Sequence, residues 1–144
     1  MQRISQRSQL IDMSLMHGVV YLQEFIDSGS HNGVDYRVFV VADQIIASMK
    51  RIGQDWITNV AQGGHVESVE IGVEAEQLAV KAVQALDMDY AGVDLIQDKE
   101  GVFWVTEVNS VPAWKGLQAT TEYKIVESIT AYFIAQSELV SESL

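Results

Sequence analysis

Asp94, Glu107 and Asn109 are the residues whose types and spacing could do chemistry in this chain, and they lie within the stretch YAGVDLIQDKEGVFWVTEVNSVPAW, Tyr90 to Trp114. Two carboxylates and an amide oxygen, in a sequence without cysteine, form a hard oxygen donor set. Such a set suits Mg2+ or Mn2+ better than zinc and leaves coordination positions for phosphate and water. Two apolar, strand-like runs, Ala91 to Gln97 and Val102 to Val108, flank Asp98-Lys99-Glu100-Gly101, which is a hairpin signature. A symmetric loop would set Gln97 opposite Val102 and Asp94 opposite Val105. Alternation then puts Asp94, Glu107 and Asn109 on one face, with the two acids as diagonal neighbours roughly 7–8 Å apart. A slip of one residue would turn one of the strands over and part them. The alternative is an ordinary strand-end acid and an exposed acid without a shared role.

The elements around this hairpin read as follows. Ile4, Ser8, Ile11 and Leu15 fall near helical spacing, with Gly18 as a stop. Val19 to Ile26 reads as a strand and Asp27 to Gly33 as a turn-rich loop. Asp35 to Val41 and Ile45 to Arg51 form a second hairpin through Ala42-Asp43-Gln44, and Gly53 to Gly64 is a loop. Glu74 to Leu86 is an amphipathic helix with Ala75, Leu78, Ala82 and Leu86 on its stripe. Glu122 to Ala135 is a last helix that turns Ile125, Ile129 and Tyr132 or Phe133 inward, and residues 137–144 read as a frayed acidic tail. The expected class is α+β: an antiparallel β-sheet with helices packed on one side.

Composition narrows the functions. The 144 residues carry 9 Lys and Arg against 20 Asp and Glu, a formal charge of −11 that repels nucleic acid and anionic membrane surfaces. No apolar run approaches the ~20 residues of a membrane-spanning helix, and a reducing cytoplasm is the default location. Two of the nine basic residues, Lys50 and Arg51, stand together where a strand enters the glycine-containing loop. Arg51 could neutralise phosphate, since a guanidinium binds it bidentately; both could equally be solvated strand-end charges.

Ala91-Gly92-Val93-Asp94 followed by Glu107-Val108-Asn109-Ser110-Val111-Pro112 resembles the metal-binding end of the ATP-grasp superfamily. It is most similar to the α-L-glutamate ligase branch, whose members add glutamate to ribosomal-protein tails or to pterin and deazaflavin cofactors. The resemblance implies that Asp94, Glu107 and Asn109 bind magnesium ions bridging the phosphates of ATP. It implies a nucleotide hinge at Glu24 and Phe25, and a ribose contact for Asp35 within Asp35-Tyr36-Arg37. Thr58-Asn59-Val60-Ala61-Gln62-Gly63-Gly64 resembles the family's R-x-N-x-x-x-G-G loop in Asn59 and the two glycines, while Ile57 stands where the family carries arginine.

The implied activity is an ATP-dependent carboxylate–amine ligase working through an acyl phosphate, with ATP and Mg2+ or Mn2+ as cofactors. Its partner would be a carboxylate acceptor, either a small molecule or a protein or cofactor. The resemblance covers nearly all of the chain but only the C-terminal part of a family member. The N-terminal domain and the lid with its phosphate-binding lysine find no counterpart in it. The expected arrangement is a C-terminal ATP-grasp piece that folds, pairs with its missing half or with a second copy as a homodimer, and does not turn over alone. Two other classes stay open: a nucleotide- and magnesium-binding module without catalysis, which Ile57 favours, and a structural dimerising domain.

Overall fold

Val34 to Val41 is rich in β-branched and aromatic residues with one turn-forming Asp beyond it, and it becomes the centre of the sheet. In the computed structural model, which describes residues 2–10, 17–58 and 63–142, strand β1 (Val34–Val41) pairs antiparallel with both β2 (Gln44–Ile52) and β4 (Tyr90–Gln97). β3 (His65–Ser68) adds to β2, and β5 (Phe103–Asn109) adds to β4, giving the order β3-β2-β1-β4-β5. The β1–β2 turn has Ala42 and Asp43 both at positive φ, 49° and 63°, the two-residue hairpin turn whose twist matches the strands.

Alternation along β1 gives the sheet two different faces. Val38 and Val40, with Ala91, Val93 and Leu95 of β4, bury against helix α1 (Val73–Gln84) through Ala75, Ala79 and Val83. Alanine at those helical positions lets the helix lie close to the strands. Phe39 and Val41 point the other way and meet Met49, Leu117 of the short helix α2 (Lys115–Gln118), and Ile125 of α3 (Ile125–Glu142). Trp114 closes this second core edge-on to Phe39 at 6.0 Å between ring centroids. The antiparallel sheet with helices is the expected architecture, with the helices divided between its two faces instead of gathered on one.

Several local expectations give way to packing. The segment Val19–Ile26 joins no strand, and Tyr21 is 86% exposed; β-propensity without a ladder partner does not make a strand. The expected first helix is reduced, among the described residues, to one 3-10 turn at Arg7–Gln9, and Ile11 and Leu15 lie outside them. Leu86 lies past the end of α1 and is 52% exposed, so Val83 takes its place in the core. The acidic tail is helical as far as Glu142, because no Gly or Pro interrupts the run from Ile125. β3 was hidden in the sequence by its brevity and its single apolar residue, Val66. Among the described residues, no helix is long and apolar enough to cross a membrane.

Candidate functional site: an acid–arginine corner on the sheet

The β4–β5 hairpin differs from its expected register twice, and the two differences cancel. Its loop holds one residue more: Gln97 pairs with Phe103, and Leu95 with Val105. Asp98 Oδ1 organises this loop by accepting from the backbone N–H groups of Glu100 and Val102, with Gly101 at φ 88°. Continued unbroken, that register would set Asp94 opposite Thr106 and turn Glu107 to the other face. A β-bulge at Thr106 intervenes, and Asp94 stands directly opposite Glu107. The Thr106 hydroxyl donates to the Asp94 carbonyl at 3.1 Å and fastens the bulge. Bulges recur beside functional sites because they re-aim a side chain in this way. Asn109 pairs with Gly92, so Asp94, Glu107 and Asn109 share one face.

That face carries a row of opposite charges across four strands. Arg37 lies opposite Asp94, and Asp35 lies opposite Arg51. Arg37 grips Asp94 side-on, Nε to Oδ1 and Nη2 to Oδ2, both at 2.7 Å. Arg51 Nη2 donates to Asp94 Oδ2 at 2.7 Å and to Asp35 Oδ2 at 2.9 Å, while its Nε donates to Asp35 Oδ1. Thr58 adds its hydroxyl to Asp35 Oδ2. Asp35 and Asp94 are 6% and 5% exposed, so these are buried, two-pronged ion pairs, the strong kind. Lys50, next to Arg51, points to the opposite face and pairs with Glu67 at 3.4 Å, which separates two neighbouring cations into one structural and one site residue.

The loop after β2 is drawn onto this row by two glycines. The Gly33 N–H donates to the Asp55 carbonyl, and the Gly53 N–H donates to the Gly33 carbonyl at 2.9 Å. A β-carbon at Gly33 would lie 2.5 Å from the Trp56 carbonyl oxygen, and one at Gly53 would lie 2.0 Å from that of Ile57. Only glycine lets the strand ends pass this close, and the closeness carries Thr58 to Asp35. Trp56 in turn meets Phe25 edge-on at 6.0 Å, and the Arg3 guanidinium covers the Phe25 ring at 3.8 Å from its centroid. Glu24 is exposed, and Asn59 lies outside the described residues. Arg51 and Thr58 donate to the oxygens of Asp35 inside the sheet, so Asp35 orients Arg51. Arg37 and Thr58 are the site residues that the sequence reading did not single out; the same-face parity of Asp35 and Arg37 was the available signal.

Burial raises the Asp35 carboxyl above its ordinary value, and the bonds from Arg51 and Thr58 pull against that rise without cancelling it. Burial also works against the charge of Arg51, but the two carboxylates outweigh it and hold the guanidinium above its ordinary range. A carboxyl whose folded value is raised contributes stability that is complete below its unfolded value, about 4, and that is lost as pH rises through the folded value. Asp35→Asn removes this dependence. The stability of the variant relative to wild type should therefore improve as pH rises from about 3 to 7. Urea midpoints at a series of pH values check this, and a flat or falling difference contradicts it.

The donors fit a hard divalent cation. Asp94 Oδ1 accepts a single hydrogen bond and keeps a lone pair. Asn109 Oδ1 accepts one from the Val111 N–H at 3.0 Å and keeps another. Glu107 is exposed and, among the described residues, its side chain has no ion pair or hydrogen bond. Pro112 is buried against Gly92, where a β-carbon would lie 2.7 Å from its ring, and this contact fixes the chain leaving Asn109.

The antiparallel sheet thus brings oxygen donors and two arginines together on one face. Residues 2–133 match the RimK-like ATP-grasp domain, and the chain belongs to that family. It is 46% identical over 114 residues to the tetrahydromethanopterin:alpha-L-glutamate ligase of Methanocaldococcus jannaschii, a match that covers 78% of this chain and 39% of that protein. Among solved structures it resembles the ATP-grasp ligase PsnB complexed with minimal precursor, at 26% identity and a TM-score of 0.64, over 79% of this chain and 36% of that one. A PsnB complex with a phosphomimetic precursor variant, Mg and ADP matches at 25% identity and a TM-score of 0.59, covering 73% of this chain and 32% of that one. The chain thus spans under two-fifths of the length of these relatives.

Proposed function

We propose that this chain supplies the metal–phosphate corner of an ATP-dependent carboxylate–amine ligase, with glutamate or another amino acid as the amine. A carboxylate oxygen of the acceptor attacks the γ-phosphorus of ATP, and the bond to the bridging oxygen breaks, giving an acyl phosphate and ADP. The amine nitrogen then attacks the acyl carbon and expels phosphate, loses a proton, and leaves an amide. Asp94, Glu107 and Asn109 would hold Mg2+ or Mn2+, which when bound offsets phosphate charge and sets the phosphoryl group in line. Arg51 stands beside Asp94, anchored by Asp35, where it can face an anion. The glycine-bounded loop from Gly53, through Thr58, borders the acceptor side, and Phe25 borders the nucleotide side. The cytoplasm, where ATP is supplied, is the fitting location.

The carrying observation is the bulge at Thr106, which spends a ladder position to bring Glu107 opposite Asp94. Metal alone should bind weakly, and nucleotide should tighten it at least about tenfold, because phosphates complete a coordination shell that the protein fills only in part. Mn2+ titrations with and without ADP read this directly. Asp94→Asn should abolish the gain; tight zinc binding indifferent to nucleotide would contradict the reading.

One observation favours a second reading, a nucleotide–metal module without turnover. Ile57 offers no cation, and Arg37 and Arg51 are both already engaged by carboxylates. ADP release in the presence of candidate carboxylates and amines separates the two.

A further inference from the structure

We infer that Arg37 makes this corner selective for a metal–polyphosphate complex over a bare divalent cation. The inference rests on the metal reading above and adds a determinant to it. The charges on this face are Asp35 of β1, Asp94 of β4 and Glu107 of β5, against Arg37 of β1 and Arg51 of β2. Three negative charges against two positive ones leave a single unit to attract a dication. Asp94, Glu107 and Asn109 are of the right type to bind a metal, yet the ion meets two guanidiniums beside them. A polyphosphate reverses this balance, since its own negative charge satisfies both the ion and the arginines.

Arg37 carries more of the effect than Arg51. Arg51 is shared between two carboxylates, and Asp35 offsets its charge. Arg37 spends both of its hydrogen bonds on Asp94, the central metal ligand. Its side chain is 14% exposed, so water screens it little. Its stem runs beside Gly92, where a β-carbon would sit in ordinary contact at 4.0 Å from Arg37 Cδ.

The test is Mn2+ binding to the 144-residue chain, alone and with ADP, read by the paramagnetic signal of free Mn2+. Arg37→Met keeps the length of the stem and removes the charge; Arg37→Lys keeps the charge and removes the fork. Removing one positive charge next to a divalent ion in a partly wet site is worth about tenfold in affinity. Arg37→Met should therefore bind bare Mn2+ about tenfold more tightly, and the gain on adding ADP should shrink by a similar factor, as linkage requires. Arg37→Lys should stay near wild type in both. Thermal melts confirm that each variant is folded at the temperature of the titration. If Arg37→Met binds bare Mn2+ no more tightly than wild type, Arg37 only orients Asp94 and the inference is overturned; a loss of coupling in Arg37→Lys has the same meaning. If wild type and Asp94→Asn bind Mn2+ with ADP equally, or wild type binds none, the metal reading itself fails and takes the inference with it.

Discussion

Asp94→Ala should lower the stability of the folded chain by about 3–5 kcal/mol, the cost of removing one partner from a buried ion pair, and lower Tm by roughly 10–15 °C. The carboxylate is the meeting point of three guanidinium bonds, two from Arg37 and one from Arg51. Without it Arg51 still has Asp35, but Arg37 has no other ion-pair partner among the described residues, and the side chains involved are only 7% to 14% exposed. The uncompensated charge is what costs; the pair itself contributes less than its breakage suggests. Adding Arg37→Met to Asp94→Ala should therefore recover much of the loss. Urea unfolding of the single and double variants decides it. A single variant within about 1 kcal/mol of wild type would mean that the row of charges is not held together in solution, since surface pairs are worth only that much.

This row shows how far sequence reading could go. The shared face of Asp94, Glu107 and Asn109 was legible because they interrupt apolar strands with the parity of a sheet face. The family was legible because Ala91-Gly92-Val93-Asp94 and Glu107 to Pro112 occur in the right order. The register was not. The side chain of Asp98 builds a loop one residue longer than the symmetric one, and the bulge at Thr106 restores the parity that this longer loop removes. Neither is written in hydrophobic periodicity, because both depend on how one side chain bonds to nearby backbone. The pairing of Arg37 with Asp94 was hidden for a related reason: it needs β1 to lie next to β4, and the two residues are 57 apart in sequence. Val19–Ile26 failed in the opposite sense, its local pattern being right for a strand that no edge of this sheet receives. Fold class survives such errors because it depends on the sum of many apolar positions, whereas a site depends on a few exact neighbours.

Gly53→Ala should separate the proposed acceptor side of the site from its proposed metal side. Its φ is not in the left-handed region, so alanine meets no backbone strain there. The obstacle is space: the new β-carbon would fall 2.0 Å from the Ile57 carbonyl oxygen and 2.9 Å from that of Asp55. Those are backbone atoms, and no side-chain rotation relieves the overlap. The loop must lift from the ends of β1 and β2, taking with it the Gly33–Asp55 hydrogen bond and the Thr58 hydroxyl on Asp35. Overpacking of this kind costs about 1–3 kcal/mol, and losing the bonds beneath the loop adds to it. Amide exchange should quicken at Gly33 and along residues 53–58, while α1 and β4 keep their protection, because their core lies on the other face. Asp35 and Arg51 remain paired without Thr58, so Mn2+ should still bind more tightly with ADP than alone. Amide formation, measured in a protein that contains this chain and carries out the proposed reaction, should fall far more than that coupling does. An exchange pattern unchanged from wild type would show that the loop does not rest on Gly53, and equal loss of coupling and of turnover would show that loop and metal corner act as one unit.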